Sequence, residues 1–316
     1  MRPLSTLLLL GVVVAGFSAT QAAAHEPSAQ PAIAPAQPPR PLLWKVSDAD
    51  NSLYLLGSFH LLKAQDYPLS RDIDAAFADA ERLLFEIDPA EMNSPATAQA
   101  MLAAAAYSDD KTLSTVLPAD TRAGLEKMLA KGGGSMTQLD GLEPWFVNLS
   151  MVLGAAQSLG FRIEQGLDRH LMERAAKAGK PVAGLETVAS QFAALDGVPH
   201  SEQVAGLQEF VADPGKANAE LLDLHRLWRE GDAKGLGDRM LADMRERTPQ
   251  MYRRINVERN TAWMARLQQQ LRAPGTDDTL VVVGSLHLLG SDGLVDRLRT
   301  AGYRVERICS GCKSVR

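Results

Sequence analysis

The chain has 316 residues, 46% hydrophobic and 22% charged, which supplies a substantial core and excludes a fibrous or intrinsically disordered protein. Its 33 basic and 38 acidic residues give a formal net charge of −5, and only 5% of residues are aromatic. That balance provides neither a basic footprint for a nucleic-acid backbone nor a stacking platform for bases, so no nucleic acid is expected as a partner.

Met1-Arg2-Pro3 precedes an apolar run from Leu7 to Phe17, then small residues ending in Ala22-Ala23-Ala24. This is the order of a secretory signal peptide over 1–24, with cleavage expected after Ala24. The apolar run is far shorter than the roughly 20 residues of a spanning helix, and no cysteine follows it for lipid attachment. The mature protein is therefore expected in the periplasm or secreted, with no stable membrane span after cleavage. Residues 25–41 are mostly Ala, Pro and Gln, which read as a disordered leader. The folded domain is expected over 42–316.

Leu42 to Val46 and Ser52 to Leu56 are short apolar runs around a turn-forming tetrad, Asp48-Ala49-Asp50-Asn51, and predict a hairpin. A helix is expected over 70–82, starting at Ser70, and then a buried-type strand, Leu83 to Ile87, stopped by Asp88-Pro89. Strand, helix, strand in this order points to a crossover with parallel pairing. Apolar spacing predicts helices over 94–107, 119–129, 144–160 and 166–178, the last closed by Gly179. The glycine run 132–134 marks a mobile loop. A strand follows at Pro181 to Leu185, ending at Glu186, then helices over 201–212, 216–229 and 232–246, with Pro214-Gly215 as a break. A long helix over 251–271 leads to a strand, Thr279 to Val283, a helix over 294–301 and a last strand, Tyr303 to Ile308. The two cysteines, Cys309 and Cys312, are read as a local disulfide on the tail of that strand.

One motif occurs twice. Gly57-Ser58-Phe59-His60-Leu61-Leu62 and Gly284-Ser285-Leu286-His287-Leu288-Leu289 both follow an apolar strand, at opposite ends of the domain. The fold expected is a single α/β domain with a largely parallel or mixed central sheet surrounded by helices. Its N- and C-terminal G-x-x-H strand ends would meet at one cleft. Glycine at a strand end allows a sharp turn or a close approach, and ligands of open α/β sheets bind beyond the carboxyl ends of strands.

Two acids are embedded in apolar strands, Glu86 and Glu186, an expensive placement unless each is paired or binds a cation. Two His and one or two Glu make an oxygen–nitrogen ligand set for Zn, Mn or Co. The plainer alternatives are that each histidine satisfies its own loop and that either acid pairs with an arginine such as Arg259. There is no H-E-x-x-H, no G-x-S-x-G and no phosphate-loop pattern. Asp168 and His170 are two apart on one helix and so face different ways. His200 and His225 lack strand-end placement and read as surface or core residues.

Taken in order, Leu43-Trp44-Lys45-Val46, Leu56-Gly57-Ser58-Phe59-His60, Leu84-Phe85-Glu86-Ile87-Asp88 and Gly166-Leu167-Asp168 resemble the TraB/PrgY/GumN family, which includes the Tiki proteases. So do Gly184-Leu185-Glu186-Thr187 with Gln191, Trp228-Arg229-Glu230-Gly231-Asp232, Glu258-Arg259-Asn260, and Val283 to Gly290 with Gly302-Tyr303. The set is most similar to the bacterial GumN-like branch. The resemblance implies a metal-dependent hydrolase, a peptidase above all, with metal ligands His60, His287 and Glu86. Glu186, Arg259 and Asn260 match further blocks and would complete the pocket. A Glu that is not a ligand would be the general base, Arg259 would hold the oxyanion or a substrate carboxylate, and Asn260 would orient a ligand or the peptide. Expected partners are a peptide or protein substrate and the envelope polysaccharide machinery. The alternatives are a hydrolase of an ester or glycan substituent on the same site, or a non-enzymatic peptide- or polysaccharide-binding protein.

Overall fold

The structure, a computed structural model, describes residues 37–312; the expected signal peptide and most of the leader lie outside them. Six strands form one sheet: β1 (Leu43–Ser47), β2 (Ser52–Ser58), β3 (Arg82–Ile87), β4 (Val182–Glu186), β5 (Thr279–Gly284) and β6 (Arg304–Ile308). They lie in the order β4-β3-β5-β2-β1-β6. The pairs β2–β5, β5–β3 and β3–β4 are parallel, whereas β1 is antiparallel to both β2 and β6. The sheet is thus mixed, with four consecutive parallel strands, and helices flank it in a single α/β domain.

Burial along the strands follows this order. Every residue of β2 and β5 is buried, as continuous runs such as Leu280-Val281-Val282-Val283 require when both faces are covered. The edge strand β6, Arg304-Val305-Glu306-Arg307-Ile308, is partly exposed, and its charges guard an edge that would otherwise invite another strand. A continuous apolar core joins the sheet to most helices, and a smaller one, with Leu113, Leu117, Leu125, Val147 and Leu207, lies among the helices between β3 and α-helix His200–Ala212.

Several elements differ from the sequence pattern. β2 and β3 are parallel in orientation but not neighbours, because β5, more than 190 residues downstream by number, inserts between them. Pro214-Gly215 opens a helix, Pro214–Glu230, instead of breaking one: proline occupies the first turn, where its missing N–H costs nothing, and Asp213 caps it. An unanticipated helix, Val188–Asp196, is capped by Thr187, whose hydroxyl accepts the Ser190 N–H. The expected helix over 251–271 is divided into Pro249–Tyr252, a π-helical segment Arg253–Glu258 and Arg259–Leu271. Cys309 and Cys312 form a disulfide, and Ser310 beside it donates from its backbone N–H and hydroxyl to Asp72 Oδ2. No helix among the described residues is long and apolar enough to cross a membrane.

Candidate functional site

The carboxyl ends of the four parallel strands carry the chemistry. Across the sheet, Glu186 ends β4, Glu86 lies near the end of β3, His287 follows β5 and His60 follows β2. In the β2–β5 ladder Ser58 pairs with Gly284 and Gly57 with Val283, so the repeated motifs are offset by one residue along the sheet. Gly57 lies within β2 and makes no turn. It permits close approach, because a Cβ there would stand 2.9 Å from Ser285 Oγ and 3.0 Å from Leu42 Cβ. The Ser285 hydroxyl donates to Ser58 O at 2.8 Å, tying one motif to the other.

His60 Nδ1 lies 3.1 Å from Asp168 Oδ1, which also accepts the Ser58 hydroxyl at 2.8 Å. Asp168 sits in the first turn of helix Leu167–Ala178, whose start is pressed on the His60 loop: Leu167 N donates to Phe59 O. The same loop is anchored behind by Trp228 Nε1 donating to Gly57 O at 3.1 Å. Buried Asp66 pairs there with His225 at 2.9 Å and with Arg229. His225 is thus a core residue with a partner, and His200 stands half-buried against Glu143 at 3.3 Å.

His287 is fully buried. The Asn260 amide nitrogen donates to His287 O and Asp292 O, which leaves Asn260 Oδ1 facing His287 Nδ1 at 2.8 Å. That oxygen can only accept, so Nδ1 carries the proton and Nε2 presents a lone pair. Arg259 Nη1 donates to that lone pair at 3.1 Å. Burial first, and then Arg259, hold the His287 imidazole down to about 3, so it is neutral at pH 7. The indole of Trp263, one turn beyond Arg259, packs on His287 with ring centres 4.5 Å apart and under the guanidinium at 4.8 Å.

Arg259 links both acids. Its Nη2 donates to Glu86 Oε2 at 2.7 Å and to Glu186 Oε1 at 2.6 Å, and its Nε donates to both Glu186 oxygens. Glu86 Oε1 accepts Gly284 N–H at 2.6 Å. Burial pushes the Glu86 carboxyl up, but Arg259 overrides it and holds the group down at about 2. Glu186 is raised by burial against the pull of Arg259. Helix Val188–Asp196 adds Gln191, whose amide reaches toward both acids at 3.4 Å. The structure therefore gathers His60, Glu86, Glu186, Arg259, Asn260 and His287. Asp168, given no role by the sequence reading, and Trp263, not singled out there, complete the group.

His60 Nε2 and His287 Nε2 lie 3.9 and 4.0 Å from the same atom, Glu86 Oε1. Ligand atoms bound tetrahedrally at about 2.0–2.1 Å stand roughly 3.4 Å apart. No three His, Cys, Asp or Glu side chains among the described residues stand close enough to cage an ion as placed. In donor type and charge the residues nonetheless fit a divalent cation. Both imidazoles have Nδ1 held by an acceptor, the arrangement that aims Nε2 at a metal. Glu86 and Glu186, both buried, share the single guanidinium of Arg259, and a further cation would offset the second of these charges.

An α/β domain with two histidines and two acids at the carboxyl ends of four parallel strands defines the class. Residues 42–307 match the model of the TraB/PrgY/gumN family, and the chain belongs to that family. It is 26% identical over 246 residues to "Uncharacterized protein YbaP" of Escherichia coli (strain K12), an alignment covering 78% of this chain and 87% of that protein. The same figures hold for "Uncharacterized protein YbaP" of Shigella flexneri. No solved structure matches at a significant level.

Proposed function

We propose that this protein is an exported metal-dependent hydrolase of the GumN-like branch, related to the Tiki proteases, with peptides as its substrate class. The observation that carries the reading is the approach of His60 Nε2 and His287 Nε2 to one oxygen of Glu86. His60, His287 and Glu86 would hold Zn, Mn or Co. When bound, the ion supplies Lewis acidity at the scissile carbonyl and lowers the pKa of a water in the site. Glu186, its carboxyl raised by burial, would be the general base of the site. Arg259 neutralises the developing oxyanion from a position fixed by Glu186 and Trp263. Asn260 and Asp168 keep the two imidazoles in the tautomer that directs Nε2 inward.

The test is metal content by mass spectrometry on periplasm-purified protein, wild type beside H60A/H287A, prepared without chelators or nickel resin and titrated with Zn, Mn and Co. Near-stoichiometric metal lost in the double variant, followed by turnover in a peptide library, is the expected result. Metal in neither protein sinks the metal-dependent reading. A metallated protein that cleaves acetyl esters or glycan substituents but no peptide moves the substrate class. One that binds peptide without turnover makes it a binding protein.

A further inference from the structure

We infer that Arg259 is an internal competitor of the ion, so that the site is built to hold its metal exchangeably. This rests on the proposed metal site. The tautomer of His287 is fixed by Asn260, so its Nε2 has one in-plane lone pair, and Arg259 Nη1 occupies it at 3.1 Å. The same guanidinium occupies Glu86 Oε2 through Nη2. Two of the three donor residues are therefore engaged by one side chain, and a cation cannot use His287 Nε2 while Nη1 does.

The geometry also supplies the alternative seat. Glu186 already accepts three hydrogen bonds from Arg259, two from Nε and one from Nη2, and it is on the far side of the guanidinium from the His287 contact. Arg259 can give up His287 and keep Glu186, with Trp263 still beneath it. With an ion held there, Nη1 would release the imidazole and keep its second acceptor, Ile255 O at 3.2 Å, while Nε and Nη2 stay on Glu186. A site of this kind loads at the expense of an existing ion pair, which weakens affinity and eases exchange. A structural zinc site, closed by its own ligands, has no such rival.

The experiment measures ion affinity directly. Zn2+ and Co2+ are titrated against a chromophoric chelator, and Co2+ is also followed by its visible absorption, which reports coordination without turnover. Removing Arg259 alone would strand two buried carboxylates, so Arg259→Met is combined with Glu186→Gln and compared with Glu186→Gln alone, after circular dichroism shows both folded. The double variant should bind at least about tenfold tighter than its control, because a like charge a few ångströms from the ion repels it even under strong screening. Arg259→Lys, too short to reach His287 and both acids together, should fall between. Equal or weaker binding by the double variant overturns the inference and leaves the metal site standing. Absence of binding in every variant overturns both.

Discussion

Asp168 Oδ1 takes the Ser58 hydroxyl at 2.8 Å and His60 Nδ1 at 3.1 Å, so one carboxylate oxygen fixes both the end of β2 and the ring that follows it. Asn260 does the equivalent for His287 with an amide. The two motif histidines are therefore held alike at Nδ1 by groups of different charge. Asp168→Asn keeps the shape but removes the charge and can turn a donor toward Nδ1. Ion affinity and turnover should fall by about 10–100-fold, with melting temperature little changed, because partners behind a ligand commonly act on that scale. Isothermal titration with Zn2+ beside a thermal melt checks it. Unaltered affinity in Asp168→Asn would show that His60 is aimed by its loop alone.

The strand-end histidines and the two acids could be read from local pattern: a glycine and a histidine after an apolar run, or an acid inside one, are unusual within a few residues. Their partners could not. The spacing of Asp168 and His170 puts them on different faces of one helix and so offers Asp168 no partner; in the structure His170 packs on the Tyr67 ring. That spacing rule says nothing about a histidine 108 positions away. The sequence offers Arg259 as a partner for either acid; it serves both, because β3 and β4 are neighbours in the sheet. The insertion of β5 between β2 and β3 was equally illegible, since hydrophobic runs show that a strand is central but not which strand lies beside it.

The pH dependence of stability follows from His287. Its folded value is about 3, held down by burial and then Arg259, against about 6.5 for an ordinary imidazole. The unfolded chain takes up this proton below about pH 6.5 and the folded one does not. The contribution is thus complete above that pH and erodes as pH falls toward about 3. Glu86 acts lower: held at about 2 against an ordinary value near 4.5, it contributes above about pH 4.5 and is lost between there and about pH 2. From pH 6.5 to 5, His287 should remove about 2 kcal/mol from metal-free protein. Half-buried His170, also lowered by burial, adds to it with the same sign. Urea unfolding across this range should show the decline, and His287→Asn should flatten it. An undiminished slope in that variant would place the acid sensitivity elsewhere.

Gly166 is a contact position. A Cβ there would come within 2.2 Å of His60 O and 2.8 Å of its carbonyl carbon, so even alanine must push the helix start away from the histidine loop. Gly166→Ala should cost about 1–3 kcal/mol by overpacking and should weaken ion binding by displacing His60. Gly154 is the control. It lies in helix Pro144–Ser158 with nothing within 4 Å of the added atom, and alanine there should stabilise by up to about 1 kcal/mol. Parallel denaturant melts and Zn2+ titrations separate the two. If Gly166→Ala binds the ion as wild type does, the packing of helix Leu167–Ala178 is irrelevant to His60.

Asn256 lies in the π-helical segment Arg253–Glu258, one turn before Arg259 and Asn260, and is 0% exposed. Neither atom of its amide has a hydrogen-bond partner among the described residues. Burying an unsatisfied amide costs free energy that an apolar side chain of similar shape does not, so Asn256→Leu should stabilise by about 1–2 kcal/mol. The wider turn matters here. A π segment lets the chain enter helix Arg259–Leu271 with Arg259 and Asn260 both facing His287, and Asn256 shares their buried side. If the segment is held by backbone geometry, Asn256→Leu will melt higher and bind Zn2+ as before. A lower melting temperature would instead mean that the amide is satisfied in solution, and a melt at several water activities would show whether an ordered water is its partner.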